Sequence, residues 1–290
     1  MTGFGLDGDI DGTFPFEARY IEAGDVRLHY VDEGPRDGEP LLFVHGNPTW
    51  SYLWRKPIAA LSQSGRRCVA FDHMGFGRSE KPAQLARYTL QAHVDNARAL
   101  IDQLDLRDVT LVAHDWGGPI GLGAMLERPE RLRATVLMNT WAWELPSFVP
   151  SFIREFRTQG LGEILVLGGN LFVESIPGGM ARRDADPVMM DAYRAPFPDY
   201  WSRLAMLAAQ RDIPFTERDR SAALMGSIHE RLQDLDVPVT LVWGMRDRVF
   251  QPVFMEQWRE LFPDARVVEL QDAAHFVPED RPDALIEALS

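Results

Sequence analysis

The sequence predicts an α/β protein, a mostly parallel, doubly wound sheet with an inserted helical cap. Two observations carry this. Dense apolar runs alternate with helical patterns through the first half of the chain, and the same rhythm resumes near the end, after a long stretch without a clear strand. Strand–helix–strand alternation is the signature of a parallel sheet covered on both faces.

The first strand pattern is "VRLHYVDEG" (residues 26–34), whose apolar and polar residues alternate as in a half-exposed strand. The runs "PLLFVHG" (40–46), "RCVAFDHMG" (67–75), "VTLVAHD" (109–115) and "ATVLMN" (134–139) are denser, as burial on both faces requires. Between them, "TLQAHVDNARALIDQLDL" (89–106) spaces its apolar residues three and four apart, a helical period. From 141 to about 224 the chain is rich in Phe, Trp, Met, Pro and Gly and reads as helical pieces. Strands return at "PVTLVWGMRD" (238–247) and "ARVVELQDAAH" (265–275), and "RPDALIEALS" closes the chain as a helix. The expected division is a core of residues 1–139 and 225–290 with a helical cap of residues 140–224. An insertion at the carboxyl ends of the strands covers the crevice where such sheets bind ligands. Phe148, Phe152, Phe172, Met180, Met189, Met190 and Met206 read mainly as the core of that cap, with a tunnel lining as the alternative.

The formal net charge is −13, from 30 Lys and Arg against 43 Asp and Glu, which argues against nucleic acid or an anionic membrane as a partner. A lone cysteine, Cys68, leaves no internal disulfide framework and suits a reducing compartment. The acidic, glycine-rich start lacks the pattern of a signal peptide, and no apolar run approaches the ~20 residues of a spanning helix. The expectation is a cytoplasmic protein; the oligomeric state is not legible.

The chemistry concentrates in "VTLVAHDWGGPI" (109–120). A strand runs into a sharp turn and then a helix, and small residues surround Asp115: Ala113 before it, Gly117 and Gly118 after. This is the frame of a nucleophile elbow with a carboxylate at its tip. A carboxylate suits displacement at an sp³ carbon, giving a covalent ester that activated water must then hydrolyse. That step needs a histidine and an acid to orient it. Downstream stand only His229, in a charged helical stretch that reads as surface, and His275, in the loop after the last strand pattern. Asp247 follows the preceding strand and is the candidate acid, a helix N-cap being its other reading. Asp115, Asp247 and His275 keep the order nucleophile, acid, histidine.

The loop "HGNPTWSYLWR" after residues 41–44 occupies the place that supplies an oxyanion-hole N–H in elbow hydrolases. The backbones of Asn47 and Trp116 are the candidate donors. Their side chains add an indole N–H and a carboxamide N–H₂ that together suit an anionic leaving group such as a halide. Asn47 as a turn former before Pro48, with Trp116 packed under the cap, remains the alternative. No His/Asp/Glu cluster has ligand spacing, so neither metal nor cofactor is expected. "DHMGFGRS" lacks the ending of a phosphate loop and reads as a structural turn.

These residues resemble the haloalkane dehalogenases of the α/β-hydrolase superfamily, through "HGNPTWSYLWR", "FDHMGFGRSEKP", "VAHDWGGPIGL", "YRAPFPD", "WGMRDRVF" and "AAHFVPED". The resemblance spans nearly the whole chain. It implies an α/β-hydrolase fold and an Asp115 that displaces halide, with Trp116 and Asn47 holding the ion. The partners it implies are a small apolar halogenated substrate and the halide. One subfamily carries Glu after the strand before the cap, where this chain has Asn139; another uses a cap tryptophan, absent from "GEILVLGGNLFVE". Asn47 with Asp247 is similar to the third arrangement, with an Asp-His-Asp triad and Asn-Trp halide donors. Epoxide hydrolases share "HDWGG" and are the rival; they need two cap tyrosines, and the expected cap contains only Tyr193 and Tyr200. Fluoroacetate dehalogenases place arginines where this chain has Trp116 and Gly117. A non-catalytic binding protein on this fold predicts a broken triad or a missing oxyanion loop, and neither is seen.

Overall fold

The computed structural model describes residues 10, 12–145, 151–182 and 185–290. Eight strands form one sheet in the order β1-β2-β4-β3-β5-β6-β7-β8. They are β1 (Arg19–Ala23), β2 (Val26–Glu33), β3 (Pro40–Val44), β4 (Arg67–Phe71), β5 (Val109–Asp115), β6 (Leu132–Thr140), β7 (Val239–Gly244) and β8 (Arg266–Leu270). The β1–β2 and β2–β4 pairs are antiparallel, and all others are parallel. The central strands are buried over most of their length: every residue of β3, and Leu111 to Asp115 of β5. That is why their sequences are continuous apolar runs rather than alternating ones.

Strand β1 is absent from the sequence-based expectation. Its five residues, RYIEA, are only partly buried and form an edge hairpin with β2, turning at Gly24 with φ of +66°. A strand this short, paired on one side, carries little periodic signal.

Helices α1 (Arg55–Gln63), α2 (Leu90–Gln103) and α3 (Gly117–Leu126) connect the early parallel strands. Thr89 caps α2, its side chain accepting from the Ala92 N–H at 3.0 Å. Between β6 and β7 the chain is helical, with α4 (Ser151–Arg157), a π-helical stretch (Glu163–Gly168), α5 (Leu171–Glu174), α6 (Pro187–Arg194), α7 (Leu204–Arg211) and α8 (Ala222–Leu232). Helix α8 packs on α3, whereas α4 and α7 pack on each other. Then α9 (Pro252–Leu261) precedes β8, and α10 (Val277–Asp280) and α11 (Pro282–Leu289) end the chain. No helix among the described residues is long and apolar enough to cross a membrane.

The strand order fixes where a site can form. From β3 the chain winds to one side to make β4 and then crosses to the other side to make β5. A crevice opens at the carboxyl ends of strands on either side of such a reversal. Asn47 follows β3, and Asp115 ends β5.

Candidate active site

The turn after β5 is built by close approach. A Cβ on Gly117 would lie 2.0 Å from the Val44 carbonyl oxygen, and one on Gly46 would lie 2.2 Å from Asp115 Oδ1, so both positions need glycine. Asp115 itself has φ of +52°, a left-handed conformation that costs a non-glycine residue energy and aims its side chain out of the sheet. Its backbone carbonyl is tied down by the Thr140 hydroxyl at 2.5 Å.

Asp115 Oδ1 accepts the Asn47 backbone N–H at 2.8 Å, and the Trp116 backbone N–H also bonds to the carboxylate. Both expected oxyanion donors therefore meet the Asp115 carboxylate. Its Oδ2 lies 3.9 Å from His275 Nε2, beyond hydrogen-bond reach. Burial is the largest influence on Asp115 and pushes its pKa up to about 6, against the opposing pull of His275 and the two backbone donors.

His275 Nδ1 donates to Asp247 Oδ2 at 2.8 Å, which leaves Nε2 with its lone pair toward Asp115 when the ring is neutral. Burial draws the His275 pKa down, but the Asp247 carboxylate, and behind it Asp115, outweigh burial and leave it raised. The other oxygen of Asp247 accepts the Val249 N–H at 2.7 Å. The structure thus brings together Asp115, Asp247 and His275 from the ends of three strands.

Asn139 completes this arrangement, a part that sequence reasoning misses beyond noting the lack of a glutamate there. The β5–β6 register skips it: His114 pairs with Met138 and Asp115 with Thr140. Asn139 is the bulged residue, with φ of +36°, and a bulge re-aims the side chain it carries. Its Nδ2 donates to Asp247 Oδ2 at 2.9 Å and to the Gly244 carbonyl at 3.2 Å, while its Oδ1 accepts the Gly244 N–H at 2.8 Å. His114 is a second such residue. Its Nε2 donates to the His275 backbone carbonyl at 2.8 Å, linking β5 to the loop that carries His275. The His275 backbone N–H is held by the Gly179 carbonyl at 2.9 Å, from the helical segment above.

These groups open into a cavity of about 480 Å³, with Asn47, Asp115, Trp116, Asp247 and His275 in its wall. Most of the remaining wall is apolar, including Leu145, Ile153, Phe156, Ile213 and Phe250. Of the aromatic and methionine residues singled out in the sequence, Phe172 and Met180 line it, whereas Met189, Met190 and Met206 are buried elsewhere as packing. Phe148 and the Phe152 side chain lie outside the described residues. His229 stands apart, edge-on to Trp143 at 5.9 Å. Tyr193 is buried with its hydroxyl donating to Glu279 Oε1 at 2.7 Å, Tyr200 is exposed, and neither lines the cavity. None of the other four tyrosines lines it either.

A family model described as the alpha/beta hydrolase fold matches residues 39–167 and 179–282. The chain belongs to the α/β-hydrolase family. It is 36% identical over 278 residues to haloalkane dehalogenase 2 of Mycobacterium tuberculosis, covering 95% of this chain and 94% of that protein. It is 37% identical over 284 residues to a cis-3-alkyl-4-alkyloxetan-2-one decarboxylase of Shewanella oneidensis, covering 96% and 88%. Among solved structures, a putative ancestral haloalkane dehalogenase superposes with a TM-score of 0.86 at 31% identity, over 93% of this chain and 96% of that one. A haloalkane dehalogenase of Bradyrhizobium elkani gives 0.86 at 29%, over 95% and 100%.

Proposed function

We propose that this α/β-hydrolase hydrolyses haloalkanes to alcohol, halide and a proton through a covalent ester on Asp115, without cofactor or metal. The observation that carries this is the Asp115 carboxylate itself. Its Oδ1 accepts the Asn47 backbone N–H, the residue lines a mostly apolar cavity, and the His275 imidazole stands 3.9 Å from Oδ2. In this reading residues 140–224 form the cap over a core of 1–139 and 225–290.

Asp115 Oδ2 attacks the halogen-bearing carbon; the carbon–halogen bond breaks and the halide leaves between the Trp116 indole N–H and the Asn47 carboxamide. His275 Nε2 then takes a proton from water, and the resulting hydroxide adds to the ester carbonyl carbon of Asp115. Negative charge collects on Oδ1, where the Asn47 backbone N–H already points, with the Trp116 backbone N–H on the same carboxyl group. Asp247 orients His275 and stabilises its protonated form. Collapse of the intermediate expels the alkoxide, which takes the proton from His275 and leaves as the alcohol, and the Asp115 carboxyl then gives up its own proton to restore the carboxylate. This is the Asp-His-Asp arrangement with Asn-Trp donors. Epoxide opening is disfavoured because it requires tyrosine hydroxyls in the cavity, and no tyrosine lines it.

A second reading is favoured by the 37% identity to the oxetanone decarboxylase. In a four-membered lactone the ring carboxylate is itself the leaving group. Attack by Asp115 on the ring carbon bonded to the ring oxygen would open the ring. Loss of carbon dioxide with departure of Asp115 would then form an alkene, consuming no water.

Bromide release from 1,2-dibromoethane by the wild type and Asp115→Asn is the deciding measurement, run beside carbon dioxide release from a cis-3,4-dialkyl oxetan-2-one. Bromide release that disappears in Asp115→Asn is the expected result. Carbon dioxide release without bromide release would transfer the function to the second reading, and neither product would sink both.

A further inference from the structure

Helix α7 brings a second carboxamide to the wall of the cavity. Its Met206 carbonyl accepts the Asn47 Nδ2 at 3.4 Å. Gln210 stands one helical turn further on, on the same face as Met206. Gln210 lines the cavity and is only 4% exposed. Neither atom of its amide bonds to a described residue, yet neither is sealed into packing as Asn47 Oδ1 is. The wall that α4 and the end of α7 give the cavity is otherwise apolar, with Ile153, Phe156 and Ile213.

A buried amide without partners is costly, and a leucine of similar size would fill this wall without that cost. The missing partner is therefore to be sought in what occupies the cavity. We propose that Gln210 is a specificity-determining residue that hydrogen-bonds a hydroxyl or carbonyl oxygen carried by the substrate a few bonds from its leaving group. The preferred class is then a small oxygenated haloalkane rather than a plain hydrocarbon halide. A hydroxyl suits an amide best, because it can donate to Oε1 or accept from Nε2. The inference rests on the dehalogenation reading for the substrate's reacting end alone.

The test uses 3-bromopropan-1-ol and 1-bromobutane, which differ by a hydroxyl in place of a methyl. kcat/KM for both is measured with the wild type, Gln210→Leu and the unbranched Gln210→Met. The expected result is that each substitution lowers the hydroxyl-to-methyl preference by about tenfold, with the methyl substrate unchanged or improved. Equal effects on both substrates, or none, would overturn the proposal, since a residue that merely shapes the cavity or orders the attacking water moves both together. If the wild type releases no bromide from either, dehalogenation fails as the reaction and Gln210 is judged by binding. Hexan-1-ol and heptane are then titrated against the fluorescence of the cavity tryptophans. A preference for the alcohol that Gln210→Leu abolishes supports the assignment; equal or absent binding overturns it.

Discussion

Asp72 and Asp115 stand at the carboxyl ends of the two strands that flank β3, both buried, and they have opposite characters. Asp72 is saturated with donors: Ser51 N–H at 2.7 Å on one oxygen, Arg78 N–H and the His29 ring at 2.8 Å each on the other. Burial alone would raise its pKa, but His29, His45 and the Arg78 N–H hold it far below the ordinary carboxylate range. Asp115 has only the Asn47 and Trp116 backbone N–H groups, and burial wins. A carboxylate with both oxygens engaged by donors is an anchor. One with fewer donors at the wall of an apolar cavity stays ionised only at a cost to the fold.

The comparison breaks if Asp72 is not an anchor. Asp72→Asn should cost about 3 kcal/mol or more, because an amide nitrogen would face donors where an oxygen now accepts and the His29 ring would lose its partner. Urea unfolding of both proteins measures it, and a loss under about 1 kcal/mol would show that the network bears little of the fold's stability.

Asp115→Asn should move stability the other way. The folded-state pKa, about 6, lies above the ordinary aspartate value of 3.8, so the carboxyl's contribution is fully favourable only below that value. It is lost as pH rises through about 6, and at pH 8 the ionised group destabilises the fold. Replacing it should therefore stabilise the protein at pH 8 by on the order of 1–3 kcal/mol, with the gain shrinking toward pH 5. Melting temperatures of the two proteins across that range decide the matter: a gain independent of pH would assign it to packing rather than charge.

What the sequence disclosed and what it withheld follow from the range of the interactions. The elbow is legible because its requirements are local: Asp115 needs small neighbours within three residues, and they stand in the chain. His275 and Asp247 are legible through chain order and their places after strands. Asn139 is not, because its partner Asp247 lies 108 residues away and only a bulge in β6 turns the side chain toward it. Gln210 reads as one more polar residue on an amphipathic helix. Nothing in a single sequence says that its face meets a cavity instead of water. Tyr193 is the converse: a residue plausible for catalysis that the fold spends on a buried contact with Glu279.

Asn139 offers the finest test of the contrast between richly and sparsely bonded carboxylates, because it bears on Asp247 and leaves Asp115 alone. Asn139→Ala removes one of two donors to Asp247 Oδ2 but keeps the Val249 N–H on Oδ1 and the His275 bond. The loss should be that of one buried hydrogen bond, roughly three- to tenfold in rate. On the proposed mechanism it should fall on ester hydrolysis, where His275 would act as base, and spare the displacement, which would need only an ionised Asp115. Rapid quenching would then show an undiminished first turnover of bromide followed by a slower steady state, with the alkylated protein accumulating in the mass spectrum. A first turnover slowed by the same factor would mean that Asn139 holds the bend of β6 beneath Asp115 and Thr140, and that its bond to Asp247 is incidental to the chemistry.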